Sequence, residues 1–438
     1  MQTSLSTPAT RTEILAGIST FLATMYIIVV NPAILSQAGL PFSGVLTATV
    51  LLSFGCSLLM GLYARNPLVV APGMGLNAFF TFTAVKGMGI RPEVALGAVF
   101  WAGVLFLILS IFNVRSAIVR IIPKPLRYAI SAGIGLFVTL IGFENARFIV
   151  ANPATLVSIA SLKDPIILTF IFGLLLTSVL VTRNFPGAII IGIVLTTLAA
   201  VPIGRWWGDA SAVNFGAKTL VNFQGIVAAP DFSLIGQLDF INSLQWALWP
   251  VIFAFVFTDL FDSLSTFVGV AEAANLYDED GNPRNLNRSL TVDAVATAVA
   301  GLLGTSPGTS YIESAVGIAQ GGRTGLTAIV AGTLFLPFLF LSPLLSVVPS
   351  IATAPALVLV GAFMMKPVTR INWDQLDEAL PAFLALVLIP FSYSITQGII
   401  WGFLTWTVVK LALGKTHEVP AGLLIVDGFC VLALLSGH

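Results

Sequence analysis

Residues 300–330 read AGLLGTSPGTSYIESAVGIAQGGRTGLTAIV, with one carboxylate, Glu313, set in sequence otherwise apolar enough for a membrane. Gly304, Pro307, Gly308, Gly317, Gly321, Gly322 and Gly325 surround it. That density of glycine and proline predicts a helix broken at mid-membrane depth. Freed N–H and C=O groups are tolerated there only when buried in protein or lining a cavity. A broken helix with an ionisable residue is the pattern of a transport site. The plainer alternative is a glycine packing motif with a paired acid.

The rest of the chain agrees with a membrane setting. Of its 438 residues, 57% are hydrophobic and 9% charged, where soluble domains carry about 25% charged residues. Apolar runs of about 20 residues recur, which indicates an all-α polytopic membrane protein. Zero net charge and no basic stripe give no reason to expect a nucleic-acid partner. Cys56 and Cys430 lie in apolar runs and have neither a disulfide framework nor a metal spacing. His417 and His438 sit near the C-terminus, so no metal and no cofactor is expected. The N-terminal MQTSLSTPATRTE lacks a cleavable signal pattern, and the first apolar run reads as a retained span.

Spans are expected near 14–36, 43–63, 67–85 (broken), 93–112, 126–145, 164–182, 186–204, 245–272, 287–304, 308–321 (broken), 323–347, 351–366, 379–394 and 397–414. A further run, 420–436, is interrupted by Asp427 and Gly428 and reads as a fifteenth span or an interfacial helix. With the N-terminus inside, this topology places 14 of the 20 Lys and Arg residues on the cytoplasmic side and 6 outside. That bias follows the positive-inside rule. The longest outer loop, 205–244, carries Trp206 and Trp207, and Trp246 follows it; these suit an interfacial belt. The loop 273–288 contains DEDGN but lacks the spacing and terminal Glu of an EF-hand, so it reads as a solvated turn.

A second broken segment, APGMGLNAFFTFT, occupies 71–83. Pro72-Gly73 and Pro307-Gly308 each open a break, with Asn77 and Glu313 following at similar distances. These are the third and tenth spans, seven apart, and an odd-numbered repeat inverts in the membrane. Two inverted repeats of seven spans are therefore expected, with the substrate site at the paired breaks. Phe79, Phe80 and Phe82 follow the first break, where an aromatic ring could stack on a flat ligand.

The eighth span adds Asp259 and Asp262, whose i, i+3 spacing puts them on one helix face. Each charge at mid-membrane depth costs about 2.5–3.5 kcal/mol on insertion scales. Such acids pair with donors from other helices, hold a cation, or take up and release a proton. Thr258, Ser263, Ser265 and Thr266 are candidate donors. Glu144 with Arg147 reads as an interfacial pair, while Asp293 and Glu272 read as packing partners without a role.

On APGMGLNAFF (71–80), FTDLFDSLSTFVG (257–269), DEDGN (278–282) to LNRSL (286–290) and GTSPGTSYIESAVGIAQGGRTGLTA (304–328), the chain resembles the nucleobase/ascorbate (nucleobase–cation symporter type 2) transporters. Within them it is similar to the AzgA-type purine permeases. The resemblance covers nearly the whole chain. It implies a core of spans 1–4 (residues 1–113) and 8–11 (245–347). A gate of spans 5–7 (114–204) and 12–14 with the C-terminal apolar segment (348–438) would complete it, with 205–244 as an extracytoplasmic loop. It further implies proton symport of guanine, hypoxanthine or adenine into the cytoplasm across a bacterial inner membrane, and a possible homodimer. The implied substrate residues are Asp259, Glu313, Asn77, Asp262, Gly75, Tyr311 and Ser310, with Asp262 or Glu313 carrying the coupling proton. Three departures lie near that site: NAFF where the family has NAYF, FDSLST for FDTxGT, and GTSPGTSYIES for GTSTVTTYIES.

A purine suits these groups, since carboxylates accept from its N–H groups and Asn77 both donates and accepts. The alternatives are a sulfate-type anion transporter of the same fold, a membrane-embedded enzyme, and a channel. The acids would repel a dianion, and the sequence offers no nucleophile–base pair for an enzyme.

Overall fold

The structure, a computed structural model, describes residues 10–111, 122–211, 218–223, 225–274, 276 and 283–435. Most apolar runs form single helices. At 1.5 Å per residue, about 20 residues cross a hydrocarbon layer of about 30 Å. Seven described segments are long and apolar enough to do so, among them Phe42–Ala64, Pro92–Ser110 and Lys124–Asn145. Shorter apolar helices at Ala188–Ala200, Trp246–Leu260 and Gly325–Phe340 fall at positions read as spans. Helices Leu286–Leu303 and Leu376–Phe391 and the two broken segments complete fourteen segments among the described residues.

The helix ends follow local chemistry. Asp164 accepts from the Ile166 N–H, with Pro165 opening the sixth span. Ser394 does the same for the fourteenth, accepting from Gln397. Gly304, at φ +92°, ends Leu286–Leu303 in the left-handed conformation.

The broken segments differ from simple half-helices. The third span begins as a strand, β1 (Val70–Pro72), and turns into helix Met74–Ala78, which widens into π-type turns over Phe79–Gly87. A hairpin, β2 (Ile149–Asn152) and β3 (Leu156–Ile159), joins the fifth and sixth spans, where the sequence suggested only a connection. The tenth span begins as β4 (Gly308–Ser310), followed by Ile312–Ser314 and helix Ala315–Ala319. β1 and β4 pair antiparallel, with Val70, Ala71 and Pro72 opposite Ser310, Thr309 and Gly308. Gly73 N–H donates to Pro307 O (2.9 Å) and Tyr311 N–H to Val69 O (2.9 Å). Each break thus satisfies the backbone groups freed by the other. Antiparallel pairing of equivalent strands is what an inverted repeat produces at its pseudo-two-fold axis. The chain is an all-α polytopic membrane protein in two inverted seven-segment repeats, with spans 3 and 10 broken.

Close crossings fix the spans around these breaks. A Cβ on Gly325 would lie 1.9 Å from Gly61 O, so the second and eleventh spans touch backbone to backbone. The fifth span packs along Ser350–Phe363 and Leu376–Phe391. The loop between the seventh and eighth spans folds onto other elements: Ser43 donates to Asp231 (2.6 Å), and Trp101 Nε1 donates to Phe240 O (3.0 Å). Trp206 and Trp246 stay exposed.

The apolar run at the C-terminus forms helix Ala421–Leu435. Its Asp427 is buried and accepts from Thr407 (2.5 Å) in the fourteenth span, so the interrupting acid faces protein. Next to this helix, Lys410 is buried against Asp377 (2.8 Å) and Glu418 (2.5 Å). The loop motif DEDGN lies outside the described residues.

Candidate functional site

The crossing of the two broken spans opens a cavity of about 60 Å³. From the third span, Gly73, Met74 and Gly75 border it, at the point where strand becomes helix. From the tenth come Thr309, Ser310, Tyr311 and Glu313, and from the eighth Asp262 and Thr266. No Lys or Arg is among the lining residues, so the carboxyl groups face the space without a cationic partner there. Five of the seven residues singled out from the sequence, Gly75, Asp262, Ser310, Tyr311 and Glu313, therefore border one cavity.

Neighbours hold these groups in place. Tyr26, in the first span, donates its hydroxyl to Glu313 Oε1 (2.6 Å). The Tyr311 hydroxyl donates to Pro72 O, tying the tenth span to the third. Ser310 donates to Asp293 Oδ1 (2.8 Å) in the ninth span, which gives that acid a structural contact to the cavity wall. Gly75 lets the fifth span approach, because a Cβ there would lie 2.5 Å from Ile134 Cγ2.

Asp259 and Asn77 do not border the cavity. Asp259 is fully buried and accepts from Thr297, which also donates to Gly308 O (3.1 Å). Three residues along a helix advance about 4.5 Å, so two acids can share a helix face and still lie at different depths. The cavity reaches Asp262 and Thr266 and stops short of Asp259. Asn77, also fully buried, donates to Asn31 Oδ1 (3.3 Å). Asn31 in turn donates to Thr49 and Thr305 (2.8 Å each) and accepts from Ser306 (3.2 Å). Asn77 belongs to a polar knot that joins spans 1, 2 and 3 to the connection between spans 9 and 10.

The phenylalanines after the first break are not on the cavity either. Phe79 and Phe80 are buried, and Phe79 packs edge-on against Phe255 with ring centroids 4.7 Å apart. An apolar setting of that kind explains why a phenylalanine serves where the related pattern has tyrosine. The aromatic groups at the cavity are Tyr26 and Tyr311. Pro307-Gly308, which stand where the related pattern has Thr-Val, lie at the strand pair, and a Cβ on Gly308 would lie 2.9 Å from Ala296 Cβ. The side chains of Leu264 and Ser265 lie outside what the structure describes.

Sequence reasoning missed Tyr26, Val360 and Met364 and named Thr266 only as a candidate donor to the acids of its own span; all four line the cavity. Tyr26 had a signal: it sits where helices Thr10–Thr24 and Ile27–Leu35 meet, five residues before Asn31-Pro32. Val360 and Met364 had none, being apolar residues in an apolar span.

A model of the permease family (Xan_ur_permease) matches residues 11–400. This chain belongs to that family. The permease is 42% identical over 427 residues to "Adenine permease AdeP" of Escherichia coli (strain K12), covering 97% of this chain and 93% of the relative. It is 41% identical over 414 residues to "Guanine/hypoxanthine permease PbuO" of Bacillus subtilis (strain 168), covering 93% of each. In fold the permease is similar to the transmembrane domain of a cyanobacterium bicarbonate transporter, BicA, with a TM-score of 0.64 at 14% identity over 91% of this chain and 98% of that one.

Proposed function

We propose that this permease imports purine nucleobases by proton symport, with the core of spans 1–4 and 8–11 moving against the gate of spans 5–7 and 12–14. The observation that carries this is the joint placement of Asp262, Glu313, Tyr26 and Ser310 around one cavity at the crossed breaks. Carboxyl oxygens accept from ring and exocyclic N–H groups, and the Met74 and Gly75 N–H groups in the first turn of a helix offer donors to a carbonyl oxygen or imine nitrogen. The names of the relatives, adenine permease and guanine/hypoxanthine permease, support the same substrate class. A wall with two carboxyl groups and no cation favours a neutral base over a dianion, which argues against the sulfate-type alternative.

Proton uptake by Asp262 or Glu313 removes one of the two negative charges the lining acids can carry, and a site with less charge crosses an apolar barrier more cheaply. The size of the cavity supports movement of the gate. Benzene fits a dry cavity of about 150 Å³, whereas this cavity is about 60 Å³. A purine is larger than benzene, so the gate side must withdraw to admit it. The proposed setting is a bacterial inner membrane with a cytoplasmic N-terminus.

The test is uptake of labelled hypoxanthine, guanine and adenine in cells lacking their own permeases, with and without a protonophore. Asp262→Asn and Glu313→Gln are run beside the parent, together with Asp259→Asn. The expected result is saturable uptake that collapses with the protonophore and in the first two variants. Uptake insensitive to the protonophore removes the coupling and keeps the substrate. No purine uptake by protein that reaches the membrane overturns the reading.

A further inference from the structure

The spans bring different chemistry to the cavity. The first, eighth and tenth contribute Tyr26, Asp262, Ser310 and Glu313; the twelfth contributes Val360 and Met364, four residues apart. That spacing puts both side chains on one helix face. Their backbone is held hard against the fifth span. A Cβ on Gly135 would lie 2.7 Å from Met364 Cβ and 2.7 Å from Gly361 O, and a Cβ on Gly361 would lie 2.0 Å from Thr139 Oγ1. The fifth span comes up to the break as well, through Ile134 at Gly75. The twelfth span therefore moves only together with the fifth, and its apolar side chains advance on the site or withdraw from it as one wall.

We infer that Val360 and Met364 set the upper size limit of the substrate, admitting a bare purine ring system and rejecting purines that carry an added alkyl group or sugar. This rests on the purine reading above and deepens it. Hydrogen-bonding groups identify the edge of the base they touch, but they do not sense a substituent on the opposite edge. An apolar wall that closes over the bound base does, and one added methylene at such a wall changes selectivity about 10–200-fold.

The experiment measures competition by 1-, 3-, 7- and 9-methylpurines, and by the matching nucleosides, against uptake of whichever bare base the parent transports. The parent should reject at least one methyl isomer and the nucleosides. Met364→Ala and Val360→Ala should each improve competition by a rejected isomer about tenfold more than they alter competition by the bare base. Met364→Leu, close to the original in volume, should keep the parental ranking. Membrane levels are measured for every variant, and Val360→Ala with Met364→Leu decides the question if Met364→Ala does not reach the membrane. A uniform shift across all competitors, or an unchanged ranking, overturns the size limit while leaving purine transport intact. A parent that takes up no bare base overturns the purine reading and the size limit together.

Discussion

The Tyr26 hydroxyl holds Glu313 in place at the cavity wall. A carboxyl group beside an apolar wall has few donors, and Tyr26 supplies one at 2.6 Å. Hydrogen bonds to charged groups contribute about 1.5–3 kcal/mol, so Tyr26→Phe should lower uptake by at least about tenfold with protein levels unchanged, because the ring still fills its place. Equal uptake kinetics in parent and variant would remove Tyr26 from the site. At this scale the sequence was only partly informative. Asp262 and Asp259 are indistinguishable by spacing, yet only Asp262 borders the cavity. Asn77 pointed to the right span but lies in the knot around Asn31.

The elements are held by backbone contact as much as by side-chain packing. Gly61 and Gly325 cross where a Cβ on Gly325 would fall 1.9 Å from Gly61 O. Overpacking a tight contact costs about 1–3 kcal/mol or more, and here the obstacle is backbone, which cannot rotate away. Gly325→Val should therefore sharply reduce the amount of folded protein recovered in detergent, read by size-exclusion chromatography and thermal unfolding, while Gly428→Val, with nothing within 4 Å of its Cβ, should not. Normal recovery of Gly325→Val would mean that the second and eleventh spans cross less closely. The breaks in spans 3 and 10 were legible as Pro-Gly pairs. Their closure into the β1–β4 pair was not, because the register of two three-residue strands more than 230 residues apart leaves no local signature.

For the whole molecule, the proposed rocking of core against gate can be tested at contacts between them. Gln37 in the first repeat donates to Asn145 at the end of the fifth span (3.2 Å). Thr83 in the core donates to Tyr393 O in the gate (3.1 Å). Oxidising a Gln37→Cys/Asn145→Cys pair should stop uptake, and reductant should restore it; both native cysteines are buried and should contribute little background. Full uptake in the cross-linked protein would rule out a cycle that separates these residues. The sequence by itself determined the membrane setting, the fourteen segments, the paired breaks and the inverted repeat. These follow from hydropathy and from glycine and proline, which act along the chain. Only the tertiary structure decided which acid reaches the cavity, that Tyr26 donates to Glu313, and that Val360 and Met364 join the lining. Those facts depend on helix depth and rotation, set by contacts between spans distant in sequence, and an apolar residue facing a site looks the same in sequence as one facing lipid.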